Sequence, residues 1–388
     1  MIIPSRVRDL AERIELPGYI YDLTGLRSHV AAIRAALPAP AELYYAVKAN
    51  PDPEILRTLM PYVDGFEVSS GGELRHVTKV VPEMPVAFGG PGKTRDELDA
   101  AVVAAAGPGG VTLHVESARE ARELATAAAP VDILLRVNPP PGSGLSMTHR
   151  PPSRAVDDSS TALPDLVMGG VPGPFGMDLE ELGRCREVLA EASARQLRVR
   201  GLHAHVASGL DVAGAIEAAK RLDGLAGAQL ADDGDLINCG GGMGVDYRAP
   251  ERVFGWAEYG RGLAALGRTV RIEPGRAVTA YCGWYVTRVL DVKTSYGQTF
   301  AIVAGGTHHL RTPAAKGHDQ PCVMLGDAGP GTTTFAGQLC TPKDVLARNV
   351  QGRPRTGDIV AFGMAGAYAW NISHHSFLMH PEPSFHYV

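Results

Sequence analysis

A single lysine, Lys48, stands where an amine could act as a nucleophile. It directly follows the apolar run 44–47 in the segment Tyr-Tyr-Ala-Val-Lys-Ala-Asn. Burial behind a strand lowers the pKa of an amine and favours the neutral form, which attacks a carbonyl to give a Schiff base. Most lysines are solvated surface groups, so Lys48 becomes informative only through partners elsewhere in the chain.

Two further groups could bind an anionic cofactor. Gly240, Gly241 and Gly242 follow an apolar run in Asn-Cys-Gly-Gly-Gly-Met-Gly, where backbone free of side chains can approach a phosphate and offer it N–H groups. Glu273 and Arg276 lie in Ile-Glu-Pro-Gly-Arg at the end of another apolar run. Because the chain has 46 glycines, the glycine triplet alone is weak evidence for a phosphate site. Glu273 and Arg276 could simply form a local ion pair with each other.

Two histidines, His203 and His205, alternate in His-Ala-His, so on a strand both imidazoles point to the same face. Together with His374 and His375 they could be the metal ligands of a barrel hydrolase. This alternative lacks an acidic ligand at a matching strand end. We therefore predict no metal site.

The elements that must position these residues follow a regular rhythm from about residue 40. Short, continuously apolar runs, typical of parallel strands covered on both faces, alternate with longer helical stretches. Eight such units predict an α/β chain with a (β/α)8 barrel, whose active site lies at the C-terminal strand ends; a miscounted strand would leave a doubly wound sheet. The predicted strands are residues 43–47, 65–69, 86–88, 112–115, 133–137, 201–206, 236–239 and 270–272.

The rhythm changes beyond residue 274. Segments 284–292, 299–304 and 358–362 are strand-like and separated by Gly, Pro and Asp turns, which predicts a β-rich second domain. Between the fifth and sixth predicted strands, an insertion of about residues 139–175 is rich in Pro, Ser, Asp and Gly. Connections of that length are usually lids or disordered segments.

The composition excludes several classes of function. A net charge of −5 argues against electrostatic binding to nucleic acid or to an anionic membrane. No stretch approaches the roughly 18 apolar residues that span a bilayer, and residues 1–13 lack the apolar core of a signal peptide. The five cysteines are widely spaced without a Cys-x-x-Cys pair, which argues against a disulfide framework and predicts a cytoplasmic protein.

Eight motifs make the pattern specific, and they follow one another along almost the whole chain. In their content and order the chain resembles the fold-type III decarboxylases that use pyridoxal 5'-phosphate (PLP), the group of diaminopimelate, ornithine and arginine decarboxylases. The motifs are Tyr-Ala-Val-Lys-Ala-Asn (45–50), Gly-Phe-Glu-Val-Ser-Ser-Gly-Gly-Glu-Leu (65–74), Gly-Pro-Gly-Lys-Thr (90–94), His-Ala-His-Val-Ala-Ser-Gly (203–209), Gly-Gly-Gly (240–242), Glu-Pro-Gly-Arg (273–276), Leu-Cys-Thr-Pro-Lys-Asp (339–344) and Gly-Ala-Tyr (366–368).

The resemblance implies how the cofactor is held. Lys48 carries PLP covalently, Glu273 faces the pyridine nitrogen, and His205 stacks on the ring. A carboxylate beside that nitrogen keeps it protonated, so the ring can accept the electron pair left when CO2 departs. The residues implied to bind the phosphate are Ser208, Gly240, Gly241, Gly242 and Arg276.

The resemblance also implies a substrate side. Cys340 is the implied acid that returns a proton to the α-carbon, and it comes from the second subunit of a head-to-tail homodimer. The implied substrate contacts are Arg276, Arg311, Asp344 and Tyr368, of which Tyr368 could instead contact the phosphate.

The same family places its barrel between two parts of one β domain. By this resemblance, the segment 1–28 joins residues 274–388 in the β domain, and residues 29–273 form the PLP-binding barrel. Both subunits then contribute to each active site.

Three positions depart from the diaminopimelate decarboxylases. Thr341 stands where they carry a glutamate for the distal amine, the run 311–315 keeps Arg311 but lacks their tyrosine, and Ala207 replaces a glycine. The runs 370–381 and 167–170 are instead similar to relatives from siderophore and antibiotic pathways. We therefore predict a conjugated amino-acid substrate of secondary metabolism, such as a citryl-diaminopropionate or a carrier-protein-bound glutamate.

Three alternatives share parts of this pattern. A diaminopimelate decarboxylase of lysine biosynthesis has the same motifs, but it also has the contacts to the distal end of the substrate that this chain lacks. An amino-acid racemase shares the barrel but needs an arginine at the pyridine nitrogen, where this chain has Glu273. A non-catalytic PLP-binding protein resembles the barrel alone, without a large C-terminal β domain.

Overall fold

The computed structural model describes residues 1–127, 129–138, 173–230, 234–311 and 319–388. Most of the predicted insertion, including the motif 167–170, and residues 312–315 of the arginine motif lie outside these ranges. The described chain divides into two compact units. One contains Val30–Gly244 and Phe254–Gly275; the other contains Met1–His29, Val245–Val253 and Arg276–Val388.

The first unit is built on a closed barrel of eight parallel strands, in the order β2 to β9, with β9 pairing back to β2. This confirms the predicted (β/α)8 barrel. The chain's strands are β1 (Gly18–Tyr21), β2 (Glu42–Ala46), β3 (Gly65–Val68), β4 (Val86–Phe88), β5 (Val111–Val115), β6 (Val131–Arg136), β7 (Leu197–His203), β8 (Leu236–Asn238), β9 (Val270–Ile272), β10 (Gly283–Ser295), β11 (Gln298–Val303), β12 (Cys322–Met324), β13 (Gly329–Ala336), β14 (Val345–Arg353), β15 (Ile359–Phe362) and β16 (Ser384–Tyr387).

Helices cover the barrel, and several begin at a polar residue just beyond a strand. Ser70 and Ser117 each accept a backbone N–H from the third residue of the following helix, and Thr94 forms a reciprocal capping box with Glu97. Such caps satisfy donors that have no partner within the helix. The helices are α1 (Ser5–Ala11), α2 (Leu23–Ala36), α3 (Pro53–Leu59), α4 (Gly71–Val80), α5 (Arg95–Ala105), α6 (Ala118–Leu124), α7 (Leu179–Ala190), α8 (Val212–Gln229), α9 (Trp256–Ala264) and α10 (Arg276–Thr279).

The second unit is a β-rich domain, as predicted. Its sheet runs in the order β12-β15-β10-β11-β13-β14, and β1 pairs antiparallel with β10 and parallel with β16. The N-terminal strand is therefore part of the C-terminal sheet. Its hydrophobic cluster joins residues from the N-terminal segment 1–11 and three strands: Ile3, Val7, Ala11, Ile20, Trp284, Val286 and Ala361.

Throughout the ranges the structure describes, no helix combines the length and apolar character needed to cross a membrane.

Candidate active site

Lys48 lies in a single 3-10 turn, Val47–Ala49, that directly follows β2 at the C-terminal end of the barrel strands. Its side chain is 40% exposed, so the lysine is only partly buried behind the strand. The strand ends at Ala46 and the turn carries the lysine out of the apolar run. Its Nζ forms an ion pair with the Glu67 carboxylate and lies 3.4 Å from Ser69 Oγ.

Glu67 is a functional candidate to which the sequence analysis gave no role. It lies on β3, where its backbone pairs with Ala46, and it is only 4% exposed. Its second carboxylate oxygen accepts a hydrogen bond from Ser69 Oγ at 2.9 Å. The sequence does contain a signal for this residue, namely an acid inside the otherwise apolar strand Gly-Phe-Glu-Val. A carboxylate buried in such a strand requires a charged or hydrogen-bonding partner.

Glu273 follows β9 and is also buried, with 5% exposure. Asn238, at the end of β8, donates from Nδ2 to Glu273 Oε1 at 2.6 Å. His203 Nε2 lies 3.5 Å from Glu273 Oε2, and His114 Nε2 lies 3.7 Å from Oε1. The statement that no acid stands at a strand end matching His203 is therefore wrong, since barrel closure brings β5, β7 and β9 residues together in the interior.

His205 lies beside the glycine turn rather than beside His203. Its Nδ1 accepts the Gly241 N–H at 3.1 Å, which places the ring proton on Nε2. Burial lowers the pKa of His205 to about 4, and the nearby positive charges of Lys48 and Arg136 act in the same direction. The imidazole is therefore neutral at physiological pH.

The glycine turn needs its glycines because the backbone packs closely there. Gly240 and Gly242 have φ values of +62° and +99°, a region that favours glycine. A Cβ on Gly242 would lie 2.1 Å from the Ala207 carbonyl oxygen, and one on Gly241 would lie 2.5 Å from that of Glu273. Ser208, on the facing loop, is exposed.

In the second unit, the structure brings Arg276 and Tyr368 together. Arg276, at the start of α10, donates from Nη1 to the Tyr247 hydroxyl at 2.8 Å, and its guanidinium carbon lies 4.5 Å from the Tyr368 ring centre. Tyr368 adopts φ +51°, a strained conformation for a residue other than glycine. Tyr247 was not singled out from the sequence.

Cys340 and Asp344 share one loop but have opposite environments. Cys340 is exposed, whereas Asp344 is 3% exposed. The Asp344 carboxylate accepts the Leu339 N–H at 2.8 Å and the Thr307 N–H at 2.7 Å. Asp344 thus holds the backbone that carries the cysteine, and its predicted contact with substrate stays a prediction. Arg311 is exposed, and its backbone N–H donates to Ser373 Oγ at 2.9 Å.

Comparison with known proteins gives a consistent picture. The family model described as the pyridoxal-dependent decarboxylase C-terminal sheet domain matches residues 18–366. A Staphylococcus aureus protein named 2-[(L-alanin-3-ylcarbamoyl)methyl]-2-hydroxybutanedioate decarboxylase is 36% identical over 95% of this chain and 93% of its own. The L-glutamyl-[BtrI acyl-carrier protein] decarboxylase of Niallia circulans is 29% identical over 98% of this chain and 90% of its own.

A solved structure has the same architecture. Diaminopimelate decarboxylase from Helicobacter pylori in complex with L-lysine superposes with a TM-score of 0.84 at 22% identity, covering 98% of this chain and 94% of its own. At that identity the likeness concerns the fold.

Proposed function

Since this chain belongs to the pyridoxal-dependent decarboxylases, we propose that it decarboxylates the amino-acid end of a conjugated precursor of secondary metabolism. The enzyme uses PLP and acts on an amino acid. The finer proposal, on the substrate, is carried by its likeness to the staphylococcal enzyme, at 36% identity across both chains. That relative's name describes an alanine-3-yl group joined through an amide to a hydroxybutanedioate, which bears two carboxylates.

The barrel residues fit the cofactor. The glycine turn is a cradle that a Cβ on Gly242 would fill, and the buried carboxylate of Glu273 suits a protonated pyridine nitrogen. We assign the covalent attachment to Lys48, the ring contact to His205 and the phosphate contacts to Ser208, Arg276 and the three glycines. When bound, PLP would supply the electron sink that accepts the pair left on the α-carbon when CO2 departs.

The chain's own residues then divide the work. Glu67 holds the proton-bearing Nζ of Lys48 in place through its ion pair. Asn238 orients the Glu273 carboxylate by donating to Oε1. The neutral ring of His205 covers an aromatic face without adding charge, and its position depends on the Gly241 N–H. These contacts place the charged groups before substrate arrives, which is how a preorganised site lowers a barrier.

Return of a proton to the α-carbon is assigned to the Cys340 thiol. Positioned acids of this kind typically contribute about 100- to 10,000-fold to rate. The exposure of Cys340 supports the further proposal that it serves the active site of a second subunit in a homodimer. Tyr368 and Arg311 are assigned to substrate contacts, with Arg311 offering a positive charge to an anionic far end.

A screen of CO2 release tests the substrate. The PLP-loaded enzyme is supplied separately with the amide of citrate and L-2,3-diaminopropionate, carrier-bound L-glutamate, free meso-diaminopimelate and each of the free amino acids. We expect turnover of a conjugated compound to exceed that of any free amino acid by at least about 100-fold in kcat/KM, a difference of about 2.7 kcal/mol.

Rapid turnover of free meso-diaminopimelate would overturn the substrate proposal and favour lysine biosynthesis. Interconversion of enantiomers without CO2 release would favour the racemase alternative. The variant Thr341→Glu is a matched control, because it restores the acid that the diaminopimelate enzymes carry after the cysteine. We expect it to weaken use of the conjugated substrate while leaving PLP binding unchanged.

A further inference from the structure

Two buried imidazoles behind Glu273 have no part in the roles assigned above. The rings of His114 and His203 stack with centres 4.1 Å apart and planes 28° from parallel. His114 is 0% exposed and His203 is 3% exposed. Among the described residues, His114 Nδ1 and both ring nitrogens of His203 have no hydrogen-bond partner. Burying such groups is costly, so their retention calls for a physical reason.

The Asn238 side chain determines which groups donate and which accept in the hydrogen-bond network around Glu273. Its Oδ1 accepts the Gly240 N–H at 3.0 Å, so its amide NH2 must point the other way. Nδ2 then donates one hydrogen to Glu273 Oε1 at 2.6 Å and directs the other to His114 Nε2 at 3.3 Å. His114 Nε2 is therefore an acceptor, and the proton of a neutral His114 ring lies on Nδ1.

His203 faces the other oxygen of the same carboxylate. Its Nε2 lies 3.5 Å from Glu273 Oε2, about half an ångström beyond an ordinary N–H···O bond. Burial lowers the pKa of both histidines well below the usual 6.5. A neutral His203 that carries its proton on Nε2 presents a donor to Oε2 without introducing a second positive charge.

We propose that His114 and His203 are positioning residues that act through Glu273, keeping its carboxylate in a single orientation toward the cofactor's ring nitrogen. Asn238 holds one oxygen and supports His114, while His203 stabilises the other oxygen. The inference rests on the proposed role of Glu273. It assigns His203 the larger effect, because its Nε2 lies 3.5 Å from the oxygen that Asn238 does not bind, whereas His114 Nε2 lies 3.7 Å from the oxygen that Asn238 already binds.

A metal ion is the rival occupant of this cluster. One ligand atom from each of His114, His203 and Glu273 lies within 4.8 Å of the others. A tetrahedral zinc site, however, needs imidazole lone pairs that converge on one point. The Nε2 lone pair of His114 already faces the Asn238 amide at 3.3 Å, and the same amide donates to the Glu273 carboxylate. The geometry therefore favours the hydrogen-bonded arrangement.

The test follows the ring nitrogen directly. Wild-type and variant proteins are reconstituted with PLP labelled with 15N in the ring, and the 15N chemical shift is measured against pH. We expect His203→Phe to lower the pH at which the nitrogen loses its proton by about one unit, a ten-fold change in proton affinity. His203→Gln, which keeps an N–H near Nε2, should stay within about 0.3 units of wild type.

A double-mutant cycle separates action through Glu273 from general damage. In the Glu273→Gln background, His203→Phe should change the 15N titration and kcat by less than about two-fold, whereas in wild type it should reduce kcat by at least about ten-fold with KM nearly unchanged. Leu113→Ala, a change at a fully buried neighbour of His114 on β5, controls for lost stability, since it should lower Tm without moving the 15N signal.

The possible failures are distinguishable. If Glu273→Gln itself leaves the ring nitrogen unchanged, the proposed role of Glu273 is wrong. If Glu273→Gln has its effect but His203→Phe acts equally in both backgrounds, only the positioning role is wrong. One equivalent of zinc in the PLP-loaded protein, measured by plasma mass spectrometry, would show a metal site instead.

Discussion

The barrel buries the carboxylates of its candidate site, whereas the β-rich unit exposes its candidate thiol and Arg311. In the barrel, Glu273, Glu67 and Asn238 are all less than 7% exposed, and each has hydrogen-bond or ionic partners from the same unit. In the β-rich unit, Cys340 and Arg311 are exposed. A buried carboxylate needs fixed partners to remain ionised, whereas an exposed thiol can meet groups from outside its own chain. The contrast teaches that the barrel carboxylates are held in place by their own unit, whereas Cys340 and Arg311 are accessible at the surface of this chain.

The strongest challenge to the barrel side removes its amine. We expect Lys48→Ala to abolish the visible absorbance of the covalently bound cofactor and to reduce kcat on the order of 1,000-fold or more, because attachment of PLP is lost. Lys79→Ala, on the exposed face of α4, is the matched control and should behave as wild type. Retention of both absorbance and turnover by Lys48→Ala would contradict the assignment of Lys48.

The corresponding change in the β-rich unit removes the thiol. Cys340→Ala should reduce kcat by about 100- to 1,000-fold with PLP still bound, because a positioned acid is lost. Cys322→Ala, at a half-buried cysteine in β12, should leave turnover near that of wild type. Unchanged turnover of Cys340→Ala would show that another group returns the proton.

Mixing the two inactive variants tests whether the sites are shared. If Lys48 and Cys340 serve one site from different subunits, random pairing of Lys48→Ala and Cys340→Ala makes half of the dimers mixed, each with one intact site of two. Turnover should then recover to about one quarter of the wild-type rate. If native mass spectrometry detects mixed dimers but turnover does not recover, each chain supplies both residues to its own site.

A smaller effect is expected from the glycine turn. Gly242→Ala adds a Cβ 2.1 Å from the Ala207 oxygen at a φ of +99°, so we expect it to lower the free energy of unfolding by about 2–4 kcal/mol and PLP affinity by at least about ten-fold. Gly267 also has a positive φ, +66°, but open space around it, so Gly267→Ala should lower the free energy of unfolding by only about 1 kcal/mol. Equal losses in the two variants would mean that φ alone, and not close packing, requires glycine at 242. Chemical denaturation and PLP titration supply both measurements.

The smallest effect concerns pH. Burial lowers the pKa of His205 and of His309 to about 4 in the folded protein, below the usual 6.5. Between these two pH values the unfolded chain therefore binds more protons than the folded chain. The contribution of each neutral histidine to the free energy of unfolding is complete above about pH 6.5 and is lost as the pH falls toward 4. For each histidine, the free energy of unfolding should fall by about 1 kcal/mol when the pH is lowered from 7 to 5.5. Denaturation at both pH values measures the difference, and a His205→Gln variant whose stability falls as steeply as that of wild type would contradict the prediction for His205.

The sequence predicted much of the architecture because its signals are local. Continuous apolar runs located the eight barrel strands within a few residues, and turn-rich segments identified the β-rich unit. The partial exposure of Lys48 could not be predicted, because the run 44–47 does not reveal that the strand ends at Ala46 and a 3-10 turn begins.

Residue types and order alone therefore established the barrel, the family and the identity of the candidate chemical groups, since these depend on periodicity and motif. Only the tertiary structure decided which groups meet. His114 on β5, His203 on β7 and Glu273 after β9 are far apart in sequence, yet closure of the barrel directs all three to the interior. Hydrogen-bond partners such as Glu67 for Lys48 and Asn238 for Glu273 follow from strand register, which pairs residues across the sheet rather than along the chain.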